Sequence, residues 1–269
     1  MNTVKIVSFA LISTLVLFSC KNEEKTNLET PKTSENDLAL VEITPSEEIL
    51  TNDYLYVTAT TGLSLREYAN LQSEKIAVMP FGTRVKVIAS EKNPTMKVGE
   101  IKGGMDEIEY NHKKGFAFNG FLSRYFPPEK GISAKLYAEE LKTDFPKIVY
   151  SETTGGTASK PTNSESLTLP NTQWHEAFYM AQQLYNFPNE LVFPSLKGKD
   201  FQTIKEKKFT KDTSTTLSTS TWTSELQITR ENDNLSKIEY VYVNKGFSKK
   251  VTIVKEGDVM KISSTEKVE

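Results

Sequence analysis

The sequence predicts a β-rich chain of class β plus α+β: a small β-barrel, then a helix packed on an antiparallel β-meander. Three observations lead there. Short apolar–polar alternations broken by turn residues fill positions 53–127, the pattern of half-buried strands. A strong helical period follows, with Trp174, Ala177, Phe178, Ala181, Leu184 and Tyr185 recurring at i, i+3, i+4 and i+7. Four longer alternating runs then complete the chain, separated by turns rich in Asn, Asp and Gly. The expected division is a leader at 1–19, a tether at 20–52, the barrel at 53–127, a short helix and linker at 128–166, and the α+β unit at 167–269.

The leader begins with one basic residue, Lys5, and continues as an apolar run from Ile6 to Phe18, too short for a spanning helix. It closes on Leu17-Phe18-Ser19-Cys20, and Cys20 is the only cysteine. A lone thiol in an exported chain has no disulfide partner, whereas a cysteine at this position resembles the lipobox of bacterial lipoproteins. The resemblance implies cleavage before Cys20, acylation of that residue and a membrane partner held through the lipid anchor. Several acyl chains on one residue hold a protein where a single chain binds marginally. Lys21 stands where inner-membrane retention uses Asp, so the implied location is the outer membrane, on its periplasmic or surface face. Glu23-Glu24 resembles the surface-export signal of Bacteroidetes lipoproteins.

Residues 21–51 are rich in Glu, Lys, Thr, Ser, Asn and Pro and bury too little apolar surface to offset ordering. In the barrel, Tyr54, Tyr56 and Thr58 alternate with Leu55, Val57 and Ala59. Leu63–Glu67, Ile76–Met79, Arg84–Ile88, Met105–Tyr110 and Phe116–Phe118 follow as strands, joined at Thr61-Gly62, Pro80–Thr83 and Asn111–Gly115. The series Gly62-Leu63-Ser64-Leu65-Arg66, Phe81-Gly82-Thr83-Arg84-Val85, Gly115-Phe116-Ala117-Phe118 and Phe121-Leu122-Ser123 resembles a bacterial SH3-like (SH3b) domain. That resemblance covers about 70 residues and implies an SH3-like barrel that recruits a peptide or a peptidoglycan stem. Many members carry a Trp before the Gly-aromatic close, and here Met105 stands near that place. If the Trp serves a ligand, the site is altered; if it serves the core, Met is an adaptable substitute. Tyr54, Tyr68 and Phe121 are the candidate ligand-binding aromatics, with Phe116 and Phe118 expected in the core.

Beyond the barrel, Ser133 is placed to cap a short helix with Leu136, Tyr137 and Leu141 on one face. Ser151–Ser166, rich in Gly, Ser and Thr, reads as a linker or long loop. Asn171 is expected to cap the second helix and Pro188 to stop it. After a Lys- and Thr-rich loop at 198–220, strands are expected at 222–230, 235–243, 247–255 and 259–264. This half is similar in outline to uncharacterised modules that accompany SH3b domains in exported Bacteroidetes lipoproteins.

The near-balance of 33 basic and 35 acidic residues leaves no electrostatic footprint for nucleic acid. Catalysis is not expected. A Cys–His endopeptidase lacks its thiol once Cys20 is acylated, and a zinc amidase needs more ligands than His112 and His175 provide. Glycoside cleavage needs two carboxylates, but nothing singles out a pair among Glu176, Glu190, Glu225 and Glu239. His175 reads as a helix residue beside the apolar stripe, and His112 as a solvated turn residue. Neither a metal nor a cofactor is expected. The sequence therefore points to a non-enzymatic binding module of the cell envelope, partnered by peptidoglycan or an envelope protein. Its alternatives are an assembly protein of the envelope whose barrel only packs on the second unit and has no ligand groove, and, behind that, a carboxylate-dependent cell-wall hydrolase.

Overall fold

The computed structural model describes residues 54–195, 197–205 and 222–268; Cys20, the leader and the 20–52 tether lie outside them. The first half contains β1 (Tyr54–Val57), β2 (Leu63–Arg66), β3 (Lys75–Met79), β4 (Arg84–Ala89), β5 (Met96–Val98), β6 (Ile101–Gly103), β7 (Met105–Tyr110), β8 (Lys113–Phe118) and β9 (Leu122–Ser123). Seven of these form an antiparallel sheet in the order β3-β2-β8-β7-β4-β1-β9, and β5 pairs with β6 separately. Alternation is the reason: Leu63 and Leu65, then Val85, turn to one face and are buried with Val57, Met79 and Ile108. The β7–β8 turn is a two-residue reversal in which Asn111 and His112 both take positive φ (48° and 61°). Gly115 permits the close pairing of β8 with β2, since a Cβ there would stand 2.5 Å from the Arg66 carbonyl oxygen.

Among the described residues the expected closed barrel is absent. β3 and β9 are the two edges of this sheet and do not pair with each other. β9 is only two residues long, and its Ser123 hydroxyl is directed to the Glu176 carboxylate on a helix of the second half. Met105 is buried opposite Phe118, so its place is in the core. Phe118 is likewise buried and Phe116 half-buried.

The second half contains α1 (Ala134–Asp144), β10 (Val149–Gly156), β11 (Pro161–Pro170), α2 (Trp174–Leu184), β12 (Phe201–Lys205), β13 (Thr223–Glu231), β14 (Asn234–Asn244), β15 (Phe247–Glu256) and β16 (Val259–Val268). Its seven strands run antiparallel in the order β10-β11-β16-β15-β14-β13-β12. β13 to β16 are the expected meander, turned by Asn232-Asp233, Gly246 and Gly257, all at positive φ. Leu167, Leu169, Ile228, Ile238, Val251, Ile253 and Ile262 cover one face and bury against Ala177, Phe178 and Ala181 of α2.

Four local expectations are corrected. Ser151–Ser166 is not a linker but most of the β10–β11 hairpin, turned by mutual hydrogen bonds between Thr157 and Lys160 (3.1 Å each). Threonine favours a pleated surface, and β11 gains a full ladder to β16, so composition was overridden by a distant partner. The 198–220 loop contains β12, which pairs with β13. Ser133 does cap α1 by accepting from the Leu136 N–H (3.2 Å), but Ala134, Tyr137, Ala138 and Leu141 form the buried face, leaving Leu136 48 % exposed. Asn171 does not cap α2. It sits at φ 53° with its N–H bonded to the Asp258 carbonyl, while Gln173 is the cap and its N–H donates to Glu176 Oε2 (2.7 Å).

α2 ends in a left-handed Asn186 (φ 56°), after which the Phe187 N–H returns to the Gln182 carbonyl at 2.9 Å. Phe187 then stacks on Tyr240, with centroids 4.1 Å apart. All described residues belong to the compact unit Leu50–Glu269, and Tyr179 and Phe193 pack against both cores. Among the described residues, no helix is long and apolar enough to cross a membrane.

Candidate functional site

α2 presents different residues to the two sheets. Ala177, Phe178 and Ala181 enter the second core, while Tyr179 reaches the first, with His175 one turn before it. Tyr179 thereby forms one wall of a cleft of about 350 Å³ against the first sheet. Phe118 and Phe121 supply its aromatic side, their rings meeting edge to face at 5.7 Å. Leu71 and Val98 add apolar surface, and the β1–β2 turn from Thr58 to Gly62 supplies hydroxyls and backbone. That turn is held by Thr58 N–H to the Phe121 carbonyl (3.0 Å) and Gly62 N–H to the Ala59 carbonyl (2.9 Å). Gly62 takes φ 87°, which explains its place before the Leu63-Ser64-Leu65-Arg66 strand. Arg66 borders the cleft, and one of its guanidinium nitrogens donates to the Ser73 carbonyl at 2.5 Å. The remaining N–H groups of such a fork suit a carboxylate.

The seam beside the cleft is buried and titratable. The His175 ring donates to the Gly120 carbonyl and meets Phe193 edge to face at 6.1 Å. Burial lowers its pKa to about 4, with the Gly120 hydrogen bond opposing that shift, so the imidazole is neutral near pH 7. Glu176 is buried, and this burial raises its pKa against the lowering effects of Ser123, the Gln173 N–H and Arg124. Tyr125 also crosses the molecule, its hydroxyl donating to the Pro170 carbonyl at 2.8 Å.

The three aromatics singled out in the sequence do not converge. Phe121 lines the cleft. Tyr54 is 41 % exposed at the start of β1, with the Arg84 guanidinium carbon 3.9 Å from its ring centre. Tyr68 is 63 % exposed in the turn after β2, where its N–H donates to Ser73 Oγ. Sequence reading missed Tyr179, Phe118 and Arg66 as cleft residues. The available signal was Tyr179 itself, which adds an aromatic off the main apolar stripe of α2.

The four carboxylates weighed for glycoside chemistry are dispersed. Glu176 closes the helix cap, and Glu239 is held by Lys250 (2.9 Å) and Lys237 (3.6 Å). Glu225 accepts from Gln227 and Thr203, while Glu190 is exposed. Among the described residues, no group of three His, Cys, Asp or Glu side chains could hold a metal ion. His112 is exposed in the β7–β8 turn. Set against known protein families, the chain matches none. Among curated proteins, none matches it significantly.

Proposed function

We propose that this chain is a lipid-anchored protein of a bacterial outer membrane whose SH3-like first half recruits a peptide or peptidoglycan-type ligand without catalysis. The observation that carries the binding reading is the cleft of about 350 Å³ between the first sheet and α2. It joins an aromatic wall (Phe118, Phe121, Tyr179) to threonine hydroxyls and the Arg66 fork. Apolar lining with a few convergent polar groups is what an orienting pocket needs, and a short peptide ending in a carboxylate supplies the complement. The anchor rests on Leu17-Phe18-Ser19-Cys20 and on its resemblance to a lipobox.

Purified sacculi incubated with the full chain test the ligand. Retention is expected to fall about tenfold for Phe121→Ala or Arg66→Gln and to stay unchanged for His112→Ala. Retention no greater than that of an unrelated protein would remove the cell-wall reading. The anchor is tested by labelled palmitate: Cys20→Ser is expected to abolish incorporation and release the chain from the membrane fraction. Label retained in that variant would place the acyl chain elsewhere.

A second reading is favoured by the seam. Tyr179 and Phe193 pack against both cores, and Tyr125 bonds across to Pro170, which suits an envelope assembly protein built as one scaffold. In that reading the cleft is a by-product of packing, and the sacculus variants have no effect.

A further inference from the structure

The cleft beside Tyr179 does not end at the β1–β2 turn. Thr60, exposed in that turn, lines it and also lines a second cleft of about 680 Å³. A small void bordered by both Tyr179 and Gln183 lies between the two. One wall of the second cleft is α2 and the residues just past its end. Tyr179, Gln182, Gln183 and Asn186 stand at i, i+3, i+4 and i+7, so a single stripe leads from the aromatic cleft into the larger one. The facing wall comes from Phe81 in the β3–β4 turn and from Pro128 to Lys130 after β9.

Chemistry changes along this stripe. The first cleft is aromatic and bordered by Arg66, whereas the second is walled by primary amides. Gln182 is fixed there, its Nε2 donating to the carbonyls of Pro188 (3.2 Å) and Leu191 (3.0 Å), which leaves Oε1 as an acceptor. Gln183 and Asn186 add two further amides, each with two donors and one acceptor. Glu129 and Lys130, the two charges of the cleft, are adjacent, exposed and of opposite sign, so neither sign of ion is selected. A ligand for such walls carries donors and acceptors together without charge, as a peptide backbone does at every residue. Size agrees. Tyr179 and Asn186 are seven positions apart. That is roughly 10 Å along a helix, the span of about three extended residues.

Resting on the peptide reading of the first cleft, we infer that the ligand is an extended peptide of about six residues lying across both clefts. Its terminal carboxylate sits at Arg66, and its upstream backbone lies on the amides of Gln183 and Asn186. The last residues fill the aromatic cleft, while the amide cleft reads main chain. Recognition then depends on length and on a free carboxylate more than on the upstream side chains.

The full chain is titrated calorimetrically with Ac-Ser-Ala-Ala, with Ac-Ser-Ala-Ser-Ser-Ala-Ala, with the C-terminal amide of the longer peptide, and with an N-acetylglucosamine tetramer. The longer acid is expected to bind about tenfold or more tighter than the shorter one, and its amide about tenfold weaker than the acid. Gln183→Leu, and Asn186→Gly, which tolerates the φ of 56° at that position, are each expected to bring the longer peptide down toward the affinity of the shorter. Arg66→Gln weakens both lengths. Thermal melting verifies that each variant is folded. Equal affinity for the two lengths, or an unchanged length preference in both folded helix variants, would overturn the inference and leave the first cleft as a short-peptide site. Binding of neither peptide overturns it too, and sacculus retention then decides the first-cleft reading alone. Saturable binding of the tetramer that is lost in Gln183→Leu would assign the second cleft to a glycan instead.

Discussion

Replacing Phe178 by alanine is expected to lower the unfolding free energy by about 3–5 kcal/mol, the cost of emptying a packed aromatic position. Phe178 is fully buried at the middle of α2 and meets Tyr179, Phe187 and Phe193 edge to face, with centroids 5.5, 6.1 and 5.8 Å away. Phe187 stacks in turn on Tyr240 of the sheet, and Phe193 touches both cores. Loss of this ring should therefore loosen both halves together. Urea unfolding followed by hydrogen exchange tests it: amides of β2 and β8 should gain exposure in the same transition as those of β13 to β16. If the first sheet keeps its protection while the second unfolds, the halves are independent and the scaffold reading falls.

Acid should weaken the fold through His175. Its pKa is about 4 in the folded chain against 6.5 unfolded, so the unfolded chain takes up the proton first. Stability from this group is complete above pH 6.5 and is lost as pH falls toward 4, on the order of 2 kcal/mol by pH 5. Glu176, its neighbour on α2, acts in the opposite sense, because burial raises its pKa and protonation then favours the folded form as acid is added. His175→Gln isolates the histidine. The stability difference between wild type and variant should shrink by that amount between pH 7.5 and pH 5, measured by urea midpoints at each pH. A difference independent of pH would show that the imidazole titrates normally at the seam.

The parts legible in the sequence are those whose causes are local. Asn232-Asp233, Gly246 and Gly257 mark the meander because their backbone needs positive φ. Ser133 marks a helix start because its hydroxyl satisfies an N–H three residues on. The β10–β11 hairpin was illegible because its Thr, Ser and Gly composition is that of a loop, and its partner strand β16 is distant in sequence. The cleft was half-legible. Phe121 follows from the Gly-aromatic close, whereas Tyr179 reaches the cleft only because α2 lies between two sheets, a placement that no spacing encodes. Closure of the first sheet was misjudged because β9 is only two residues long and pairs with β1 alone, which leaves β3 as the opposite edge.

The strand made by Val259–Val268 is not at the rim of its sheet but wedged between β11 and β15. Ser164 and Thr265, which share a hydroxyl contact across that join, are 101 residues apart in the chain. A growing polypeptide that has emerged only as far as β15 thus holds β10–β11 as an orphan ribbon with nothing to zip onto. Joining such remote segments is slow, because loop entropy is lost before contacts repay it. The nascent molecule stays pliable until its final hairpin arrives, and maturation of this half is necessarily a late, all-at-once event.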